Sequence, residues 1–115
     1  MATSVSMQPV NNLILCEETI ISNLGKEKLE AIKHAAQQLE EPFINLEKAG
    51  IEIYISASEN GLAFKIKDQN GNILPDSEYE VDKDRSPYLI LGSAITKAFY
   101  NLNKRVSYAM EMLKA

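Results

Sequence analysis

Residues 51–67 alternate between apolar and polar side chains in two short stretches, and this pattern predicts a β-hairpin. Alternation with a period of two is typical of strands that bury one face. Asn60 and Gly61 lie between the stretches, and this pair readily takes the positive φ angles of a type I′ turn. With a two-residue loop at this pair, the facing core residues are Ile55 with Ile66 and Ala57 with Phe64.

A second turn is predicted at residues 68–71, which read Asp-Gln-Asn-Gly. A three-residue loop there would direct Leu74 into the core, whereas a two-residue loop would direct Ile73 inward. Either loop adds a third antiparallel strand. The acidic segment 76–84 then predicts a short edge strand, whose like charges would discourage edge-to-edge aggregation.

Two helices are predicted before the hairpin. Apolar residues three or four apart in 13–24 indicate the first helix, with Asn12 as its N-cap, although 13–16 is also short and apolar enough for a strand. A heptad-like apolar seam in 29–46 indicates the second helix. Pro42 lies within this seam and predicts a kink or a restart of the helix.

The last segment predicts one long amphipathic helix that begins at Ser86-Pro87. Its apolar stripe consists of Leu91, Ile95, Phe99, Leu102, Val106, Ala109 and Leu113. A helix over 87–114 would be about 42 Å long, whereas a domain of this size has a diameter of roughly 34 Å. We therefore expect either a break at Gly92 or overhanging last turns, which a second copy of the chain would cover.

Together these elements predict a single α+β domain over residues 12–115. We expect a three- to four-stranded antiparallel meander, with the N-terminal helices and the long C-terminal amphipathic helix packed on it. Residues 1–11 are small, polar and unpatterned, which predicts a disordered N-terminus. A chain of 115 residues can build one core without disulfides.

The residues that usually carry catalysis are scarce in this chain. Cys16 is the only cysteine and His34 the only histidine, so no disulfide framework or cysteine-pair zinc site exists. Cys16 falls on an apolar face, which predicts a buried structural thiol, and His34 is expected at the surface. The segment 68–72, Asp-Gln-Asn-Gly-Asn, lacks the glycine and glutamate positions of a calcium loop and fits a turn better. We therefore predict no catalytic residue, cofactor or metal, and a protein that is not an enzyme.

Composition adds expectations about the source and location of the protein. Ten lysines against two arginines, with many isoleucines and asparagines, are typical of AT-rich genomes and favour a bacterial or phage origin. No apolar run reaches the roughly 18 residues of a membrane span. No basic residue precedes the first apolar stretch, which disfavours a secretory signal. These features predict a cytoplasmic protein that does not interact with membranes.

The favoured function is a small protein-binding module, acting as a homodimer in the manner of an adaptor, inhibitor or chaperone. Tyrosines on polar faces and the overlong last helix carry this prediction, because tyrosine is enriched at protein interfaces. The candidate interface comprises Tyr54, Tyr100, Val106, Tyr108, Met110 and Leu113.

Two alternatives remain at this stage. The chain has net charge −4, but its last thirty residues are basic, and Lys97, Lys104 and Arg105 would contact phosphates in a nucleic-acid-binding protein. The other alternative is a small ligand-binding domain or enzyme with a pocket between the sheet and the helices.

Overall fold

In the computed structural model, helices pack against a four-stranded sheet. The structure describes residues 10–74 and 77–114, and their side chains as far as residue 103. The elements are β1 (Leu13–Leu15), α1 (Glu17–Leu24), α2 (Lys26–Gln38), α3 (Glu40–Lys48), β2 (Glu52–Ser58), β3 (Gly61–Lys67), β4 (Tyr79–Val81) and α4 (Pro87–Lys114). The strands lie in the order β1-β2-β3-β4. β1 runs parallel to β2, and the other neighbours are antiparallel. The α+β class is confirmed, but the expectation of a purely antiparallel sheet is wrong.

Strand β1 takes the place of the start of the predicted first helix, so the alternative of a strand within 13–16 is the right one. Its place is determined by distant contacts, since the Asn12 side-chain amide donates to the carbonyl oxygens of Phe43 at 2.9 Å and Ile51 at 3.0 Å. The Asn12 carbonyl also accepts from the Ile53 amide. The buried Asn12 side chain therefore links α3 to the segment that enters β2 by hydrogen bonds, and it is not a helix N-cap. α1 begins only at Glu17.

The β2–β3 hairpin forms as predicted, but its register differs by two residues. Ser58 pairs with Gly61, so the loop is Glu59-Asn60 and Ile55 lies opposite Phe64 rather than Ile66. A shift of two residues leaves every side chain on its predicted face, because the side-chain period of a strand is also two. Burial alternates along both strands accordingly.

Gly61 is the first residue of β3 and not a turn residue. Its φ is +151°, and a Cβ added there would fall on the main-chain oxygen of Val81 in β4. Glycine is required here by the close approach of β4 and by the backbone conformation.

The second turn forms at residues 68–72 as predicted. The Asp68 carboxylate accepts the Asn72 amide at 3.0 Å, and Gly71 has a φ of +81°. Leu74 is buried and Ile73 is exposed, so the alternative that directs Leu74 inward is the right one. Only an isolated bridge forms at Ile73, and β4 takes the place of the third antiparallel neighbour.

The helices cover the apolar face of the sheet. The seam in 29–46 divides into α2 and α3 at Leu39, and Pro42 lies in the first turn of α3, three residues after the restart. α4 passes through Gly92 without a break and packs on α2, α3 and β3. Up to residue 103, where the described side chains end, the buried residues of α4 are Ile90, Leu91, Ala94, Ile95, Ala98 and Asn101.

Candidate functional site

A groove runs between the edge strand β4 and the first half of α4. Three adjoining depressions of about 500, 370 and 270 Å³ form it, and Lys97 lines all three. The first is bounded by α4 and Arg85, and the other two reach β4. Other lining residues are Glu78, Tyr79, Glu80, Val81, Asp82, Arg85, Leu89, Gly92, Ser93, Thr96, Tyr100 and Asn101. We call this surface the β4–α4 groove.

Two large side chains beside the groove are open to solvent. Leu89 is 61% exposed and Tyr100 is 60% exposed, more than any other large hydrophobic residue in the described part of the chain. They lie eleven positions apart on α4, which is three turns of one helix face. Such a pair is apolar area that a partner could remove from water.

Gly92 lies between these two residues, in the interior of α4. An ideal Cβ at this position would meet no atom within 4 Å, so no contact inside the described fold requires a glycine here. A glycine in a helix interior costs stability relative to alanine. Gly92 lines the same depression as Leu89 and Ser93.

The main-chain groups of β3 alternate between its two neighbours. The Ile66 carbonyl accepts the Leu74 amide, which lies on the β4 side of the sheet. The main-chain groups of the residues two and four positions before Ile66 point the same way, because main-chain groups of a strand alternate with a period of two. Phe64 and Leu62 therefore direct their amide and carbonyl groups at β4.

The partners of these two residues in β4 are Tyr79 and Val81. Their main-chain groups are consequently used in the ladder, whereas Glu80, opposite Ala63, directs its N–H and C=O away from the sheet. No other strand of the described residues pairs with this edge. The outer side of β4 thus offers an unpaired donor and acceptor along the groove.

The opposite margin of the sheet is closed where β2 extends past β1. There the Ala57 amide donates to the Thr19 hydroxyl oxygen at 2.9 Å, and the Asn23 side chain donates to the Ala57 carbonyl at 3.2 Å. Side chains of α1 thus satisfy the main-chain groups that β1 leaves unpaired.

Tyr79 connects the groove to the core. Its ring stacks on Phe64 with 4.9 Å between the centroids, and the Lys97 ammonium lies 4.2 Å above its centroid on the groove side. Burial raises the pKa of Tyr79, and the Ser93 hydroxyl opposes this rise, although the two hydroxyls do not meet in a well-formed hydrogen bond. The tyrosine is therefore a neutral group, over which Lys97 is held by a cation–π contact.

The two sides of the groove carry opposite charges. Arg85 and Lys97 are the charged residues of the largest depression, on the α4 side. The edge strand presents Glu80, with Glu78 and Asp82 on either side of it in sequence, and all three are exposed. A partner in the groove would meet cations along the helix and carboxylates along the strand.

A separate depression of about 420 Å³ lies on the open face of the sheet. Tyr54 lies in it, donating to the Glu52 carboxylate at 3.1 Å with the Lys67 ammonium 4.6 Å from its ring centroid. The hydrogen bond to Glu52 raises the pKa of Tyr54, with smaller contributions from burial and from the Glu52 charge. Glu52 and Lys67, which are paired across the hairpin, thus both contact Tyr54.

The predicted thiol and histidine both lie at the surface. Cys16 lines the rim of the depression on the open sheet face and is exposed, so the expectation of a buried structural thiol is wrong. The physical reason is that β1 ends at Leu15 and the chain turns outward to begin α1. His34 is exposed on α2, as predicted.

The structure separates the predicted interface residues. Tyr54 lies on the open sheet face, whereas Tyr100 and Lys97 line the β4–α4 groove. The remaining predicted site residues lie outside the described side chains, namely Val106, Tyr108, Met110, Leu113, Lys104 and Arg105.

Leu89, Arg85 and Glu80 were missed by the sequence reasoning. The available signal was Leu89, an apolar residue off the stripe that begins at Leu91.

In the described part of the chain, no group of three or more His, Cys, Asp and Glu side chains is placed to hold a metal ion. Within the same residues, no helix combines the length and the apolar character needed to cross a membrane. No protein family, curated protein or solved structure significantly matches the chain.

Proposed function

We propose that this chain is a non-enzymatic protein-binding module whose partner surface is the β4–α4 groove. The observation that carries the proposal is the exposure of Leu89 and Tyr100 beside an unpaired strand edge. Exposed apolar side chains grouped around a groove and bordered by polar residues are typical of interaction sites. An adaptor, inhibitor or chaperone would use such a surface.

The energetics support a role for these side chains in binding. Complete burial of a leucine side chain is worth about 1.5–3 kcal/mol. Tyrosine is among the residues that most often dominate a protein interface. The Ser93 and Thr96 hydroxyls lie between them and supply polar contacts that orient a partner.

The charges at the groove favour a protein partner over nucleic acid. Of the three cations proposed for phosphate contact, Lys97 is the one whose side chain is described, and it lies over the Tyr79 ring. Glu80 borders the same groove, and its carboxylate is exposed to solvent. A phosphate backbone along β4 would be repelled by this carboxylate.

We further propose that the protein acts as a homodimer in a bacterial or phage-infected cytoplasm. α4 continues for 28 residues, a length of about 42 Å, against short axes of 28 and 23 Å for the fold. A second copy would cover the apolar residues predicted at the end of α4. Size-exclusion chromatography with light scattering should give twice the mass of 12.8 kDa, and a monomer at micromolar concentration would contradict this proposal.

Affinity capture from cells that make the protein tests the binding surface. Leu89→Asp places a carboxylate in the groove and should abolish retention of the partner. Ile44→Asp makes the same change at an exposed isoleucine of α3 and should leave retention unchanged. Retention of the same proteins by the wild type and by Leu89→Asp would refute the groove as the binding surface.

A further inference from the structure

We infer that the β4–α4 groove binds an extended peptide, which joins the sheet as a fifth strand along β4. This inference rests on the proposed function and names the kind of partner that the groove takes. The peptide would carry apolar and acidic residues on the side that faces α4, and basic residues on the side that faces Glu80.

The main chain of β4 supplies the first reason. The N–H and C=O of Glu80 point away from β3 and are within reach of a neighbouring strand, which would accept from one and donate to the other. An extended segment that adds to an exposed edge gains main-chain hydrogen bonds, while pockets for alternate side chains provide specificity.

The walls of the groove supply the second reason. The Tyr79 ring stacks on Phe64, which places it on the core side of β4, and Glu80 therefore lies on the other side. Alternate residues of an added strand would contact Leu89 and Lys97 of α4. The residues between them would lie beside Glu80.

Charge complementarity then determines the composition of the peptide. Arg85 and Lys97 line the helix side of the groove and favour acidic residues among the apolar ones that contact Leu89. The Glu80 carboxylate favours lysine or arginine at the directly opposite position, since opposite charges stabilise cross-strand pairs.

The same charges disfavour a second copy of this chain at this edge. Two β4 strands paired about a two-fold axis at Glu80 would place Glu80 against Glu80 and Glu78 against Asp82. All three carboxylates are exposed and carry the same charge. The proposed homodimer therefore uses a different surface, and the groove accepts a partner of different sequence.

A synthetic nine-residue peptide provides the test. Its odd positions alternate lysine with threonine, and its even positions alternate leucine with aspartate. One control peptide has the same composition in scrambled order. A second control is N-methylated at the alternate residues whose N–H groups would face β4, so that it cannot donate main-chain hydrogen bonds to β4. Isothermal titration should show binding of the first peptide and at least a tenfold weaker Kd for both controls.

Two substitutions in the protein separate strand addition from side-chain contact. Glu80→Pro removes the outward N–H and leaves the ladder partners Tyr79 and Val81 unchanged, so the melting temperature should match that of the wild type. The Kd of the peptide should weaken roughly tenfold or more. Glu80→Gln retains the N–H, and its Kd should weaken much less than that of Glu80→Pro.

Glu80→Lys keeps the test decisive even if the proline variant unfolds. This variant should bind the lysine peptide less tightly and a peptide with glutamate in place of lysine more tightly. Failure of the wild type to bind the alternating peptide, or equal Kd values for all three peptides, would overturn strand addition. Appearance of dimers through β4 would also overturn it.

The outcomes also distinguish this inference from the proposed function. If Leu89→Asp abolishes partner capture while Glu80→Pro captures the partner as the wild type does, the groove binds protein but not by strand addition. If neither substitution changes capture, both proposals are refuted.

Discussion

Two stretches at opposite margins of the sheet differ in how their outward main-chain groups are satisfied. At the β2 margin, Thr19 and Asn23 of α1 bond both main-chain groups of Ala57, which is buried. At the β4 margin, the corresponding groups of Glu80 point outward beside a groove. The stretch of the first margin at Ala57 is completed within the chain, whereas the second margin presents the same kind of hydrogen-bonding groups to a partner.

This difference separates stability from binding. Main-chain groups that are bonded by side chains of the same chain contribute to folding, and loss of such a partner leaves a buried group unsatisfied. An edge strand whose main-chain groups are exposed to water lowers the stability of the fold little, and it can still pair with another strand. Substitutions at the first margin should therefore change stability, and those at the second should change binding.

The largest effect is expected at the base of the β4 margin. Phe64 is buried and its ring stacks on Tyr79, so Phe64→Ala removes both the core contact and the support of β4. The free energy of unfolding should fall by about 3–5 kcal/mol, measured by urea denaturation. Lys65→Ala is the control, because Lys65 is exposed on the next position of β3. Equal midpoints for Phe64→Ala and the wild type would contradict the described core.

A substitution at the closed margin should lower the free energy of unfolding less than Phe64→Ala does. Thr19→Val retains the shape of the side chain but removes the oxygen that accepts the Ala57 amide, and this should cost about 1–3 kcal/mol. Thr96→Val makes the same change on the exposed face of α4 and should alter stability by less than about 0.5 kcal/mol. If the two variants melted alike, the contrast between the margins would lose its energetic basis.

A small gain is expected within the groove. Gly92→Ala adds a methyl group where no atom lies within 4 Å, so the helix should gain about 0.5–1 kcal/mol. The same methyl group narrows the groove and should weaken partner binding. For this single variant, the melting temperature should therefore rise while the affinity for the partner falls. A stabilised variant with unchanged partner affinity would mean that Gly92 does not contact the partner.

The elements with strong local patterns were predicted correctly. The hairpin follows from alternation in residues 51–67, and the last helix follows from its apolar stripe. The alternating pattern could not determine the register of the hairpin, because the same face points inward whether Ile55 pairs with Phe64 or with Ile66. The sequence left residues 13–16 open between a helix and a strand, since the hydrogen bonds of Asn12 to Phe43 and Ile51, which hold β1 in place, cross more than thirty positions.

The candidate site was predicted only in part. Tyr100 and Lys97 were identified as surface residues of α4, but their place beside β4 depends on how the sheet ends. Leu89 follows from no periodic pattern, because one exposed leucine on a helix is ordinary until its neighbours are known. The groove is a product of topology, which brings an edge strand and a helix together.

Residue-resolved amide hydrogen exchange tests the contrast between the two margins most directly. We expect the Ala57 amide to exchange slowly in the free protein, because Thr19 accepts its hydrogen bond, and the Glu80 amide to exchange rapidly. Saturation with the alternating nine-residue peptide should slow exchange at Glu80 at least tenfold and leave Ala57 unchanged. Slow exchange at Glu80 in the free protein, or no change there with the peptide present, would contradict an open margin that binds a strand.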